Sequence, residues 1–85
     1  YLSFSGVLTF KNAAELREAA AVVPEERLLV ETDAPFLTPV PFRGKPNAPY
    51  LVPLTVRGLA EVRDLDVAQL CRTLYANSTR AFGPL

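Results

Sequence analysis

The sequence predicts an α/β fold built around a parallel pair of strands. Two short apolar segments, Tyr1–Ser5 and Leu28–Thr32, have strand character, and a helical periodicity lies between them. Strand, helix and strand in that order make a βαβ unit, whose crossover is expected to be right-handed. Two further helical patterns follow the second strand, separated from it by a stretch rich in proline.

Each element has its own warrant. Tyr1–Ser5 alternates aromatic and apolar residues with serines, and Gly6 ends it. Asn12 with Glu15 three residues on has the pattern of a capping box. Leu16, Ala19, Ala20 and Val23 then follow the spacing of one helical face, predicting a helix near 13–23 that Pro24 stops. Leu28-Leu29-Val30 gives the second strand the continuous apolar start of a doubly covered parallel sheet. From Pro35 to Pro53 there are six prolines in nineteen residues, which excludes a regular helix or a central strand. Phe36, Leu37, Val40, Phe42 and Tyr50 are too many large apolar groups for a simple linker, so a long, stiff, ordered loop is expected. A helix starting between Pro49 and Pro53 and running to about Arg63 presents Val52, Val56, Leu59 and Ala60, with Gly58 in close packing. Asp66 and Gln69 repeat the capping pattern before Val67, Leu70, Cys71 and Leu74. Asn77 is expected to cap a last short turn, Ser78–Phe82, stopped by Gly83-Pro84.

Length and composition bound the rest. Eighty-five residues make one small domain, with no internal repeat and no domain boundary. A whole α/β barrel takes roughly 250 residues. At 49% hydrophobic and 21% charged, the chain is globular and not disordered. Nine Lys+Arg balance nine Asp+Glu, which removes the strongly basic signature of an autonomous nucleic-acid binder. With one cysteine and no histidine, neither an internal disulfide nor a histidine-based triad or metal site can be completed within the chain. No apolar run approaches membrane-spanning length and no signal peptide is visible, so a cytoplasmic protein without a membrane partner is expected. The chain opens directly on a strand, without methionine, which suggests a piece of a longer protein.

The strongest local feature is Glu31-Thr32-Asp33-Ala34-Pro35, at the C-terminal end of a parallel strand, where function collects in α/β proteins. Asp33 sits where the strand gives way to a loop. Glu31 shares its face, roughly 6.5 Å lower along the strand. Two such carboxylates suit a metal ligand with a supporting acid, or a base with an orienting group. The commoner reading of the spacing alone is a turn aspartate before proline beside a surface glutamate. Arg43-Gly44-Lys45 with Asn47 has the composition of a phosphate-binding loop, Arg43 offering a bidentate fork, but also that of a solvated loop tip. Ser5-Gly6 lines the same pocket or simply turns the strand. Cys71 is expected as a buried structural thiol, and Tyr50 and Tyr75 as packing groups.

Taken together, Ser3 through Asn12, Arg27 through Pro35, Pro39 through Asn47 and Asn77 through Gly83 resemble the C-terminal third of a TatD-family metal-dependent hydrolase. These are the TatD deoxyribonucleases within the amidohydrolase-like superfamily. The resemblance covers nearly all of the chain, in the family's order. It implies a (β/α)₈ barrel in the parent protein, of which this chain is the C-terminal βαβα portion. Tyr1–Ser5 would be strand seven and Leu28–Thr32 strand eight. Family members hydrolyse DNA phosphodiesters, some as exonucleases from the 3′ end, and related members are deacylases. They use one or two divalent metals, with Mg, Zn and Mn not distinguishable from this sequence. The resemblance makes Asp33 the one metal ligand carried here, and the group that takes a proton from the attacking water. It makes Glu31 a buried acid behind it, and Arg43 and Asn47 contacts to phosphate or anchors of the loop. The histidine ligands of the family would lie upstream of Tyr1.

Two other functions compete with a DNA-cleaving hydrolase. One is a non-enzymatic interaction module, a barrel remnant whose sheet edge recruits a partner. The other is a deacylase on the same metal site. A His-x-His roughly 200 residues upstream, within a barrel of about 250 residues, supports an enzyme, and its absence supports the module. In either case the rest of the barrel, or another copy of the chain, is expected to cover the sheet edges.

Overall fold

The computed structural model of the protein describes residues 1–83. Strand β1 (Leu2–Phe4) and strand β2 (Leu28–Val30) pair in parallel, with Leu2 opposite Leu28, Ser3 opposite Leu29 and Phe4 opposite Val30. The ladder runs one bond further, from Glu31 N–H to the Phe4 carbonyl at 2.9 Å. Both strands are therefore shorter than the sequence predicts. Ser5 and Gly6 leave β1 for a 3₁₀ turn, Gly6–Thr9, that the strand and helix patterns do not announce.

Helix α1 (Ala14–Val22) makes the crossover. It starts later than the Asn12–Glu15 pattern implies. Ala13 is the N-cap, without a side-chain bond, because the backbone from Phe10 is already committed to a turn (Ala13 N–H to Phe10 O, 3.2 Å). Ala20 and Val23 are buried and Leu16 packs on the core, but Ala19 is exposed. The helix ends at Val23, whose extended backbone leads into Pro24. Carbonyls at its end lack intrahelical partners. Arg63 reaches across from α2 and donates to Ala20 O (3.1 Å), Ala21 O (3.2 Å) and Val23 O.

A 3₁₀ turn at Pro49–Leu51 feeds helix α2 (Val52–Arg63). Pro53 is tolerated in its first turn, where the missing N–H has no intrahelical partner to lose. Val56, Leu59 and Ala60 are buried as the spacing predicts, joined by Thr55. Gly58 lies close against the 3₁₀ turn, and a Cβ there would sit 3.1 Å from Thr9 Cγ2. Asp64 ends the helix in the left-handed region, and Leu65 N–H returns to Ala60 O at 2.9 Å.

Helix α3 (Val67–Phe82) is capped by Asp66, whose carboxylate accepts from Gln69 N–H at 3.1 Å. It runs unbroken through Asn77, so the separate last turn expected at Ser78–Phe82 does not exist. Asn77 is buried mid-helix, its amide donating to Glu25 O (2.9 Å) and Leu28 O (2.8 Å). Its buried face is Leu70, Leu74 and Asn77. Cys71 is exposed, not buried, because that face is set one step round from the Val67–Cys71 line. Tyr50 and Tyr75 are exposed as well, so neither packs within this chain. Gly83 caps the helix, and Pro84 lies outside the described residues.

One core unites these parts. Phe4, Leu8, Ala20, Val23, Leu28, Val56, Leu59, Ala60, Leu70 and Leu74 form a single apolar cluster, with Val30 packed against it. Phe4, Leu28 and Val30 share one side of the pleat. Ser3, Leu29 and Glu31 alternate to the other side and take no part in the cluster, and Ser3 and Glu31 are exposed.

Candidate functional site

The C-terminal end of β2 leads into a tight turn. The ladder ends at Glu31, and the Ala34–Pro35 peptide is cis. Phe36 N–H donates to Asp33 O at 2.7 Å, closing a four-residue turn with Asp33 at its first position. Ala34 N–H donates to Thr32 Oγ1 at 3.2 Å. Asp33 and Glu31 are both solvent-exposed. The resemblance implied a buried Glu31; on that side of the sheet Leu29 is buried, but Glu31 and Ser3 are exposed.

The proline-rich segment is folded down over this turn. Asn47 is buried, and its side-chain bonds go to the strand end, the turn after it and the next residue in the loop. Its amide Nδ2 donates to Thr32 Oγ1 (3.1 Å) and to Phe36 O (2.8 Å). Its Oδ1 accepts from Ala48 N–H (2.8 Å), and its own N–H donates to Pro35 O (3.0 Å). Thr38 Oγ1 donates to Lys45 O, closing the loop on itself. At the 3₁₀ turn that follows β1, Val40 N–H donates to Thr9 Oγ1 at 2.8 Å. Gly6 is the seat of this contact: a Cβ there would meet Leu37 O at 2.5 Å and Pro39 Cδ at 2.9 Å. Leu37 itself holds a positive φ of 55°. These polar bonds hold the segment down; the apolar side chains expected to order it, Phe36, Leu37, Val40, Phe42 and Tyr50, are all exposed.

Arg43 stands apart from Asp33. Its guanidinium lies over the Phe10 ring, 3.9 Å from the centroid. It lines an open cleft of about 600 Å³ with Val7, Phe10, Asn12 and the start of α1, and neither Asp33 nor Glu31 borders that cleft. Lys45 and Arg43 are exposed, and Ser5 is half-buried with no side-chain cap on the 3₁₀ turn. The structure thus joins Asn47 to the Asp33 turn and leaves Arg43 on a separate cleft. Thr32 was not singled out by motif reading. The signal available was a hydroxyl immediately before an aspartate at a strand end, where Thr commonly bonds its own backbone.

The donor set can be tested against a metal. Among the described residues no three acidic, cysteine or histidine side chains converge. Structural and catalytic metal sites use three or more protein ligands. Asp33 suits one place in such a shell, and the shell as a whole does not fit within this chain. No metal-dependent step follows from these residues alone.

The fold and the Asp33 turn define a strand-end acidic site on an α/β scaffold. The profile of the TatD-related DNases matches residues 1–83, and the chain belongs to that family. It is 50% identical over 82 residues to the uncharacterized metal-dependent hydrolase TatD of Mycobacterium tuberculosis, covering 96% of this chain and 31% of that protein. It is 48% identical to the uncharacterized metal-dependent hydrolase YcfH of Escherichia coli over the same shares. The crystal structure of YJJV, a TatD homolog from Escherichia coli, superposes with a TM-score of 0.88 at 29% identity, over 98% of this chain and 32% of that one. The chain therefore spans about a third of the length of the relatives it matches. No helix among the described residues is long and apolar enough to cross a membrane.

Proposed function

We propose that this chain is the C-terminal segment of a (β/α)₈ metal-dependent hydrolase that cleaves DNA phosphodiester bonds. In this reading β1 and β2 are barrel strands seven and eight, and residues 1–85 belong to a single barrel domain. Asp33 supplies one metal ligand to a shell completed by residues upstream. The observation that carries the reading is an exposed aspartate on a sharp turn, at the C-terminal end of a parallel strand. It lies within a chain whose relatives are named metal-dependent hydrolases. A divalent metal, when bound, lowers the pKa of its water toward neutrality. The chain's own contribution is a carboxylate held at the strand end to bind and to accept a proton there. Glu31 lies on the same side of the sheet and serves to orient that end. Parallel strands with helices on one side and Ser3, Leu29 and Glu31 on the other support a closed barrel, since such sheets are covered on both faces.

The test is Asp33→Asn in the full-length protein, assayed on DNA with added divalent metal. Loss of metal-dependent hydrolysis is expected. Stability should change by less than about 0.5 kcal/mol, because the side chain is exposed and away from the core. Wild-type turnover at saturating metal would remove Asp33 from the site.

A further inference from the structure

We infer that Thr32 and Asn47 act as a positioning pair that sets the direction of the Asp33 carboxylate. The inference rests on the proposed role of Asp33 and adds to it the device that aims this group. Asp33 lies between Thr32 and Phe36, and a single buried amide holds the hydroxyl of the first and the carbonyl of the second. Asn47 Nδ2 spends its two protons on Thr32 Oγ1 and Phe36 O. Thr32 Oγ1 also accepts from Ala34 N–H, on the far side of Asp33. Asn47 N–H holds Pro35 O, so the residues flanking Asp33 are tied by four hydrogen bonds to two side chains and one backbone amide.

The chemistry of the pair is specific. A primary amide offers two donors from one nitrogen together with an acceptor oxygen. Here the two donors bridge a hydroxyl and a carbonyl four residues apart, and the oxygen is taken by Ala48 N–H. An aspartate at position 47 would present only acceptors to the Phe36 carbonyl. The threonine hydroxyl oxygen accepts twice. Asn47 also closes the proline-rich loop, so the position of that loop and the aim of Asp33 are coupled through one residue. Asp33 is exposed and makes no contribution to the core, and the hydrogen bonds that hold its backbone are those of this turn.

Outer partners of a metal-binding or catalytic carboxylate are typically worth about 10–100-fold in affinity or activity. The full-length protein supplies the test, with manganese and bis(para-nitrophenyl) phosphate as probes. Thr32→Val keeps the shape and removes the hydroxyl. In the metal-free protein, hydrogen exchange at the Ala34 amide should accelerate. With manganese, kcat should fall by about 10–100-fold, and KM should stay within about twofold because binding contacts are untouched. Thr32→Ser restores the oxygen and should recover both readings. Asn47→Ala should move them in the direction of Thr32→Val. A Thr32→Val protein with accelerated exchange but wild-type kcat would overturn the positioning role, as would a Thr32→Ser protein as slow as Thr32→Val. An Asp33→Asn control that retains wild-type kcat identifies the other failure, in which Asp33 itself has no part in the reaction.

Discussion

Arg43 is the residue whose role the structure narrows most. Its guanidinium face is taken up by Phe10, a buried ring beneath the loop. Stacking uses the π face and leaves the planar edge of N–H donors for an anion. The neighbouring cleft opens onto the start of α1, and Asp33 does not border it. In the full-length protein Arg43→Ala is expected to raise KM for a phosphodiester several-fold and leave kcat near wild type, since a contact on a cleft that Asp33 does not border contributes to binding and not to the chemical step. Steady-state kinetics on single-stranded DNA decide it; an unchanged KM makes Arg43 a loop anchor held by Phe10. At this scale the sequence carried the candidate residues but not their grouping. Asp33, Asn47 and Arg43 were all visible as polar groups in a proline-rich setting. That Asn47 belongs with Asp33 and Arg43 does not depends on where the loop lies, and that is set by the closeness of Gly6 to Leu37 and Pro39. Side-chain spacing along the chain has no access to such a contact.

Helix α3 shows how one polar residue can tie an element to the sheet. Asn77 donates to Glu25 O and Leu28 O, at the turn that launches β2, and its oxygen accepts from Arg80 Nη2. Arg80 also donates to Glu26 O at 3.2 Å, and Thr73 to Glu25 Oε1 at 3.3 Å. Replacing Asn77 by leucine preserves the bulk but leaves the Leu28 carbonyl without this donor in a buried setting. The loss should be roughly 1–3 kcal/mol for each group left unpaired, read as a lowered midpoint in denaturant melts of the full-length protein, with an unchanged m-value. A midpoint within error of wild type would make these bonds inconsequential. The parallel pair, the crossover helix and the two later helices were legible because periodicity and proline placement are local signals. Two misreadings have one cause. Asn77 has the composition of a cap, and Cys71 sits at an apolar step of the helical repeat. What decides both is the rotation of α3 against β2, which turns Leu70, Leu74 and Asn77 inward and Cys71 outward. Likewise the Asn12–Glu15 pattern lost to the turn at Phe10, whose carbonyls Phe10 O and Lys11 O are taken by Arg17.

The molecule as a whole is one-sided. The helices bury Phe4 and Leu28 on one face of a two-stranded sheet, while on the other face Leu29 is buried but Ser3 and Glu31 are exposed. Tyr1, Leu2, Phe36 and Tyr50 are each exposed by half or more. Parallel sheets are normally covered on both faces, and open strand edges recruit further strands. The proposed barrel accounts for both features at once, since six more strands close the edges and the opposite face becomes the barrel interior. The 85 residues expressed alone are therefore expected to associate or to remain incompletely folded, and to show no metal-dependent cleavage of DNA, because one strand-end aspartate cannot complete a metal shell. Adding the upstream two-thirds of the parent as a separate polypeptide should restore both a defined stoichiometry and hydrolysis, and Asp33→Asn in the short piece should abolish the restored activity. Light scattering with size exclusion measures the first, and a DNA cleavage assay with added metal the second. A stable monomer of the short chain that binds a divalent cation in the micromolar range and cuts DNA unaided would overturn the barrel reading. Its site would then have to be built from Asp33, Glu31 and groups that this fold holds apart.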